Sequence, residues 1–311
     1  MKKISKLVAL SLVLALLCGN TVFAAESSSE LDISNELATE GYDVTKKAKS
    51  SLMDSINDYF VGGANAERIA VAAKDVLSGK KVTYTNAAQL SCLVQLGYSF
   101  NNGKGPISIT KGVLTYKNWW WTEKENVYVV CMSGTDFGAK NSTTGVITDL
   151  LSGFEFDNKY VRNIKKAIME NVPANSNIIL TGHSLGGMVA QQVAADRDIK
   201  AKYNIMNTVT FGSPLIKGLS REGMVRRLGD TSDVVPYLSV STFTNIVWQA
   251  AGLNRENGGY GAKAITAHNQ SYNRQDVWGA YDVCGQKRGS RKLELDLSTT
   301  RVYASPVIVT E

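Results

Sequence analysis

At 311 residues, with 44% hydrophobic and 20% charged side chains, the chain has ordinary globular composition and enough length for one large core. The formal charge of +6 rests partly on the first 24 residues, which hold three Lys and no acid; without them it is +3, 31 basic against 28 acidic residues. That mild excess, with no basic tract, argues against a nucleic-acid partner, and no repeat or low-complexity run suggests a fibrous or solenoid chain.

In chain order, a leader comes first. Lys2, Lys3 and Lys6 precede a nearly unbroken apolar run over residues 7–17, and Val22-Phe23-Ala24 puts small residues at the two positions a signal peptidase reads. The run falls short of the roughly 20 residues that span a bilayer. Residues 1–24 are therefore expected to be a signal peptide, and the protein to be secreted, extracellular or associated with the cell envelope. Residues 25–311 are expected to form a single domain that opens with a helical segment over about residues 26–98. Cys18 would leave with the leader. Cys92, Cys131 and Cys284 show neither metal-knuckle nor disulfide-framework spacing, and Cys131, inside an apolar strand pattern, reads as a small core residue.

Within that segment Leu52, Ile56 and Phe60 stand at helical spacing, and Asn65 can cap a helix carrying Ile69, Ala73, Val76 and Leu77 that Gly79 ends. A second helix is predicted over 87–98, with Leu90, Leu93 and Val94 on one face. Residues 107–116 alternate as a strand. Trp119-Trp120-Trp121 then leads to 127–132, a short β-branched run that is apolar on both faces, as in the centre of a covered sheet. A helix over 158–170 places Val161, Ile164 and Ile168 together. A buried strand follows at 177–180, a helix at 185–195, a strand at 209–211 and a half-buried strand at 293–297. Strands alternating with helices predict an α/β fold, a mostly parallel central sheet with helices on both faces.

Between the strand at 177–180 and the helix at 185 lies Gly182-His183-Ser184-Leu185-Gly186, a G-x-S-x-G pattern in the strand–turn–helix setting where it works as a nucleophile elbow. Such a turn strains the serine and projects its Oγ above the sheet. Gly182 and Gly186 remove side chains that would collide across the bend, and Gly187 lets the helix pack closely. The N–H groups at the helix start point to where negative charge develops in acyl transfer. The serine needs a base, and the chain has two histidines. His183, adjacent to the nucleophile, cannot curl back to Oγ and reads as a residue packed beside the elbow. That leaves His268, in a polar stretch, Thr266-Ala267-His268-Asn269, that suits a loop. The orienting acid should lie between Ser184 and the histidine. Asp233, anchored by Val234-Val235-Pro236, is the choice, with Asp230 its close competitor.

These residues together resemble the class 3 lipase family of α/β-hydrolases. Ile178-Ile179-Leu180-Thr181-Gly182-His183-Ser184-Leu185-Gly186-Gly187 is similar to that family's elbow nearly residue for residue. Phe211-Gly212-Ser213-Pro214 resembles its next strand end, Asp233-Val234-Val235-Pro236 the segment bearing its catalytic aspartate, and Ser133-Gly134-Thr135-Asp136 its oxyanion strand end. The resemblance covers roughly residues 86–272. It implies an α/β-hydrolase fold, an oxyanion hole made by Thr135 with the backbone N–H of Leu185, and a structural role for Asp149. Ser133 stands where the family usually has Arg, and Val146 or its neighbours where it has an aromatic residue.

The expected activity is that of a serine ester hydrolase, a lipase acting on acylglycerols through Ser184, Asp233 and His268, with no cofactor and no metal. The partners implied are a lipid or other ester substrate, with transient contact at a lipid interface, and no nucleic acid. The alternatives are a phospholipase or a short-chain or cell-wall esterase on the same scaffold, and, further off, an inactive binding protein. Residues 137–145, rich in Gly, Ser and Thr, suit a lid. The apolar stretch 242–253 reads as a buried helix or as the lining of an acyl groove.

Overall fold

The structure, a computed structural model, describes residues 68, 72, 74–98, 107–134, 160–217, 220–238, 252–303 and 305, and the backbone alone at 42, 43, 99, 100 and 159. They fall within one compact unit, Thr39–Glu311. The leader, the helical spacing at Leu52–Phe60, the start of the helix capped by Asn65, Thr135, the lid over 137–145, Val146, Asp149 and most of 242–253 lie outside the described residues. Among the described residues no helix is long and apolar enough to cross a membrane.

Among the described residues nine strands make one sheet: β1 (Tyr42–Asp43), β2 (Lys81–Tyr84), β3 (Ile107–Asn118), β4 (Trp121–Met132), β5 (Asn177–His183), β6 (Asn204–Phe211), β7 (Met224–Asp230), β8 (Leu253–Glu256) and β9 (Lys292–Tyr303). Their order is β1-β9-β3-β4-β5-β6-β7-β8, with β2 also paired to β9. Strands β4 to β8 run parallel, and β1, β2, β3 and β9 close one side by antiparallel pairing. Among the described residues the α-helices with both ends given are α1 (Ala87–Phe100), α2 (Lys159–Asn171), α3 (Leu185–Ala195), α4 (Arg197–Lys202), α5 (Ala264–Gln270) and α6 (Gln275–Trp278).

The period-two alternation of buried strands divides the core into two layers. Val130, Ile178 and Leu180 face Ile164 and Ile168 of α2 and Met188 and Val189 of α3. Val129, Ile179, Val209 and Phe211 face Leu90 and Val94 of α1 together with Trp278 of α6. Strand β5 has apolar neighbours on both sides, so its unbroken Ile-Ile-Leu run is what a covered parallel strand requires. Cys92, Cys131 and Cys284 are buried and unbridged, which bears out the reading of Cys131 as core. Gly79, at φ 62°, follows the helical residues 74–78 as expected.

Several elements are longer than their patterns predict, or were not predicted. Strands β3 and β4 form one hairpin in register from Ile107↔Met132 to Asn118↔Trp121, so β4 starts at Trp121, six residues before its apolar part. Its outer half is polar and exposed, and shows no alternation to read. Strands β6 and β9 likewise extend to 204–211 and 292–303. Strand β7 contains charged Arg226 and Arg227, and β8 is only four residues, Leu-Asn-Arg-Glu; neither carries an apolar signal. His268 stands on α5 rather than on the expected loop. That helix has seven residues and buries only Ala267 and His268, so no apolar stripe announces it.

Candidate active site

Strand β5 ends at His183, helix α3 begins at Leu185, and Ser184 between them has φ 55° and ψ −124°. An L-residue seldom adopts that conformation, and surrounding structure must hold it. Here the backbone is fixed on both sides. The Ser184 N–H donates to the Phe211 carbonyl (2.9 Å), and the Ser184 carbonyl accepts from the N–H groups of Gly187 (3.0 Å) and Met188 (3.2 Å). The elbow glycines are required by space. A Cβ on Gly182 would stand 2.3 Å from the Gly186 carbonyl oxygen, and one on Gly186 2.0 Å from that of Met132. Ser184 is fully buried, and its Oγ has no hydrogen-bond partner among the described residues. Leu185, first in α3, has a backbone N–H of the kind that lacks an intrahelical acceptor.

Asp233 and His268 meet. The Nδ1–H of His268 donates to Asp233 Oδ2 at 2.9 Å, with both residues buried. That bond fixes a tautomer with Nε2 as the basic nitrogen. The carboxylate is itself held: Oδ1 accepts from the Val235 N–H (2.9 Å), and Oδ2 also accepts from the Tyr272 hydroxyl (2.6 Å). Burial and the adjacent Asp233 push the Tyr272 phenol well above its usual pKa of 10, so it stays a donor. Gly212 joins this pair to the elbow. It follows the Phe211 that binds Ser184, and a Cβ there would lie 2.9 Å from Asp233 Oδ2 and 3.0 Å from His268 Nδ1.

Asp230, the competing acid, is occupied elsewhere. Its Oδ2 accepts from Ser271 Oγ (2.5 Å) and the Gly258 N–H (2.9 Å), and its Oδ1 from the Ser232 N–H (2.8 Å). It ties three loop segments together and does not bond the histidine. Arg227, buried on β7, supports the same region by donating to the carbonyls of Ser213 (3.2 Å) and Pro236 (2.6 Å). Burial lowers its pKa to about 9.

His183 packs beside the elbow as expected, and it also bridges. Its Nε2–H donates to the His268 carbonyl (2.9 Å), which leaves Nδ1 to accept from the Tyr98 hydroxyl (2.7 Å). Tyr98 in turn accepts the Gly134 N–H (2.8 Å). Burial, then the neighbouring His268, holds the His183 pKa well below the usual 6.5, so this ring stays neutral. The chain of bonds links the backbone of the base to the end of β4. There a Cβ on Gly134 would stand 2.9 Å from Ser184 Cβ, so the residue before Thr135 lies against the nucleophile. Ser133 is pinned without charge: its Oγ donates to the Val94 carbonyl (2.9 Å), and its carbonyl accepts from the Tyr160 hydroxyl (2.6 Å). Tyr98 and Tyr272 are the two site residues that sequence reading missed. Each lies among core positions, and nothing in their spacing separates them from packing aromatics.

Residues 134–226 match the family described as the PGAP1-like alpha/beta domain. No curated protein matches the chain. Among solved structures the chain is similar to the Lip2 lipase of Yarrowia lipolytica, at 15% identity over 39% of this chain and 58% of that one, with a TM-score of 0.23. It is also similar to the M37 lipase, at 16% identity over 62% and 70%, TM-score 0.26, and to the Rhizomucor miehei lipase in complex with its propeptide, at 15% identity over 63% and 66%, TM-score 0.27. The chain thus spans less than two thirds of the length of the Yarrowia lipolytica enzyme. With parallel strands leading to an elbow between β5 and α3, and with the family match across it, the fold is that of an α/β-hydrolase.

Proposed function

We propose that this chain is an exported serine ester hydrolase, a lipase of the class 3 type that cleaves acylglycerols through a Ser184–His268–Asp233 triad. The observation that carries the reading is the 2.9 Å bond from His268 to a fully buried Asp233, beside the strained Ser184 of the elbow.

The reaction is acyl transfer to water. As Ser184 Oγ attacks the ester carbonyl carbon, His268 Nε2 takes its proton, and Asp233 stabilises the imidazolium that forms. The tetrahedral oxyanion rests on the Leu185 N–H and on Thr135, donors of a kind worth about 10²–10³ in rate each. His268 returns the proton to the departing alcohol, leaving an acyl-enzyme. A water, deprotonated by the same Nε2, then releases the acid and restores the serine. Tyr98, His183 and Tyr272 act as positioning residues: Tyr272 holds the acid, His183 the backbone of the base, and Tyr98 holds His183.

The test is Ser184→Ala. It should lower kcat by about 10⁴-fold or more on emulsified acylglycerol while the far-UV spectrum stays unchanged, and a fluorophosphonate should label the wild type at Ser184 alone. Activity surviving in the variant, or an unlabelled wild type, rejects the assignment. Chain-length profiling on soluble and emulsified esters separates an acylglycerol lipase from a short-chain esterase.

A further inference from the structure

The hairpin between β3 and β4 turns on Trp119 and Trp120, which are 90% and 81% exposed, with Trp121 at 60% beside them. Every other exposed large hydrophobic residue among those described is at 39% or below. Turn chemistry does not account for this pair, because two-residue hairpin turns favour Asn-Gly or Asp-Gly. Neither tryptophan adopts the positive φ that such turns use. The tip is nonetheless held in shape. Glu123 Oε1 accepts from Asn118 Nδ2 (2.8 Å) and Trp121 Nε1 (2.9 Å), and the Asn118 side chain accepts the Trp119 N–H (3.0 Å).

Charge is organised around it. Thr115 is in register with both Lys124 and Lys292, so these two lysines share one face of the sheet, and Lys117, two residues along from Thr115, joins them. All three are exposed. We propose that this hairpin tip docks the protein on an anionic lipid bilayer, with Trp119 and Trp120 entering the headgroup region and the three lysines facing the lipid phosphates. Tryptophan suits that boundary because its ring is apolar while its N–H bonds water or headgroups, and each lysine near an anionic surface adds about fivefold to affinity. A glycan fits less well. Trp119 and Trp120 meet edge to face, 63° apart, and offer a wedge rather than the flat platform on which sugar rings stack.

The placement matters as much as the chemistry. β4 runs from Trp121 at the tip to Met132 against the elbow, so about 35 Å separates the two at a strand's rise per residue. Docking by the tip therefore turns the serine away from the bilayer that holds the protein. It is a tether, distinct from any entry of lipid at the site.

The experiment uses the full chain and vesicles of a brominated anionic phospholipid, which quench tryptophan on contact; the leader contains no tryptophan to confuse the signal. Quenching is expected with anionic vesicles, at least tenfold weaker affinity with zwitterionic ones, and weakening as salt rises. The variant W119A/W120A should lose at least tenfold in vesicle affinity while keeping wild-type kcat/KM on a soluble ester. A wild-type chain that shows no quenching overturns the proposal whether or not the variant folds. Retention of the tip on insoluble cell-wall glycan without quenching overturns it in favour of a glycan, and equal binding by the double variant overturns it in favour of another surface.

Discussion

At the residue scale, two nearby aspartates, one ending β7 and the other in the turn after it, have separate work. Asp233 holds the base, whereas Asp230 spends its oxygens on Ser232, Gly258 and Ser271. Asp233→Asn should lower kcat by about 10⁴-fold, because an amide N–H facing Nδ1 favours the wrong tautomer. Asp230→Asn should cost about 1–3 kcal/mol of stability, through a misplaced donor in a buried network, with a far smaller loss of turnover. Urea melts and kinetics on both variants check this, and the reverse outcome exchanges the two roles. The neutral His183 carries a pH signature. Its folded pKa lies well below the unfolded value of 6.5, so below that pH the unfolded chain binds a proton that the folded one refuses. Stability should rise with pH through this window, and fall on acidification below 6.5 by about 1.4 kcal/mol per unit for this one group. Unfolding free energies from pH 6.5 to 5 should therefore slope less in His183→Asn than in wild type; equal slopes would show that His183 takes up its proton while folded.

At the element scale, the strand–turn–helix of the elbow stores strain in one residue. Ser184 at φ 55° is where glycine would rest easily. Ser184→Gly should therefore be more stable than Ser184→Ala by about 1–2 kcal/mol, although both are inactive. Equal denaturation midpoints would mean that the turn costs nothing. This elbow was legible in the sequence because its chemistry is local: two glycines, a serine, an apolar strand before and an apolar helix after. Ser184 could be named from that run, His268 only by elimination between two histidines, and Asp233 by its place between them. What could not be read is what tertiary context alone creates. Helix α5 is polar and seven residues long, and strands β7 and β8 carry arginines and a glutamate where a buried pattern would be sought. Tyr98 and Tyr272 differ from ordinary core aromatics only in where their hydroxyls end, a fact of folding rather than of spacing.

At the scale of the whole molecule, the parallel strands β4 to β8 bring the elbow, the acid loop and the histidine helix to one end, and the tryptophan tip stands at the other. The mild net charge gives no hint of this polarity, because it arises from strand direction and not from composition. The sheet is finished by β9, the last strand in chain order, which lies between β3 on one side and β1 and β2 on the other. Until β9 arrives, β3 presents an open edge, and the early strands have nothing to lie against. Such an edge invites pairing with another chain, and contacts so distant in sequence form slowly. A newborn chain must then be shielded from its siblings until its final strand is made. Folding here is a closing act.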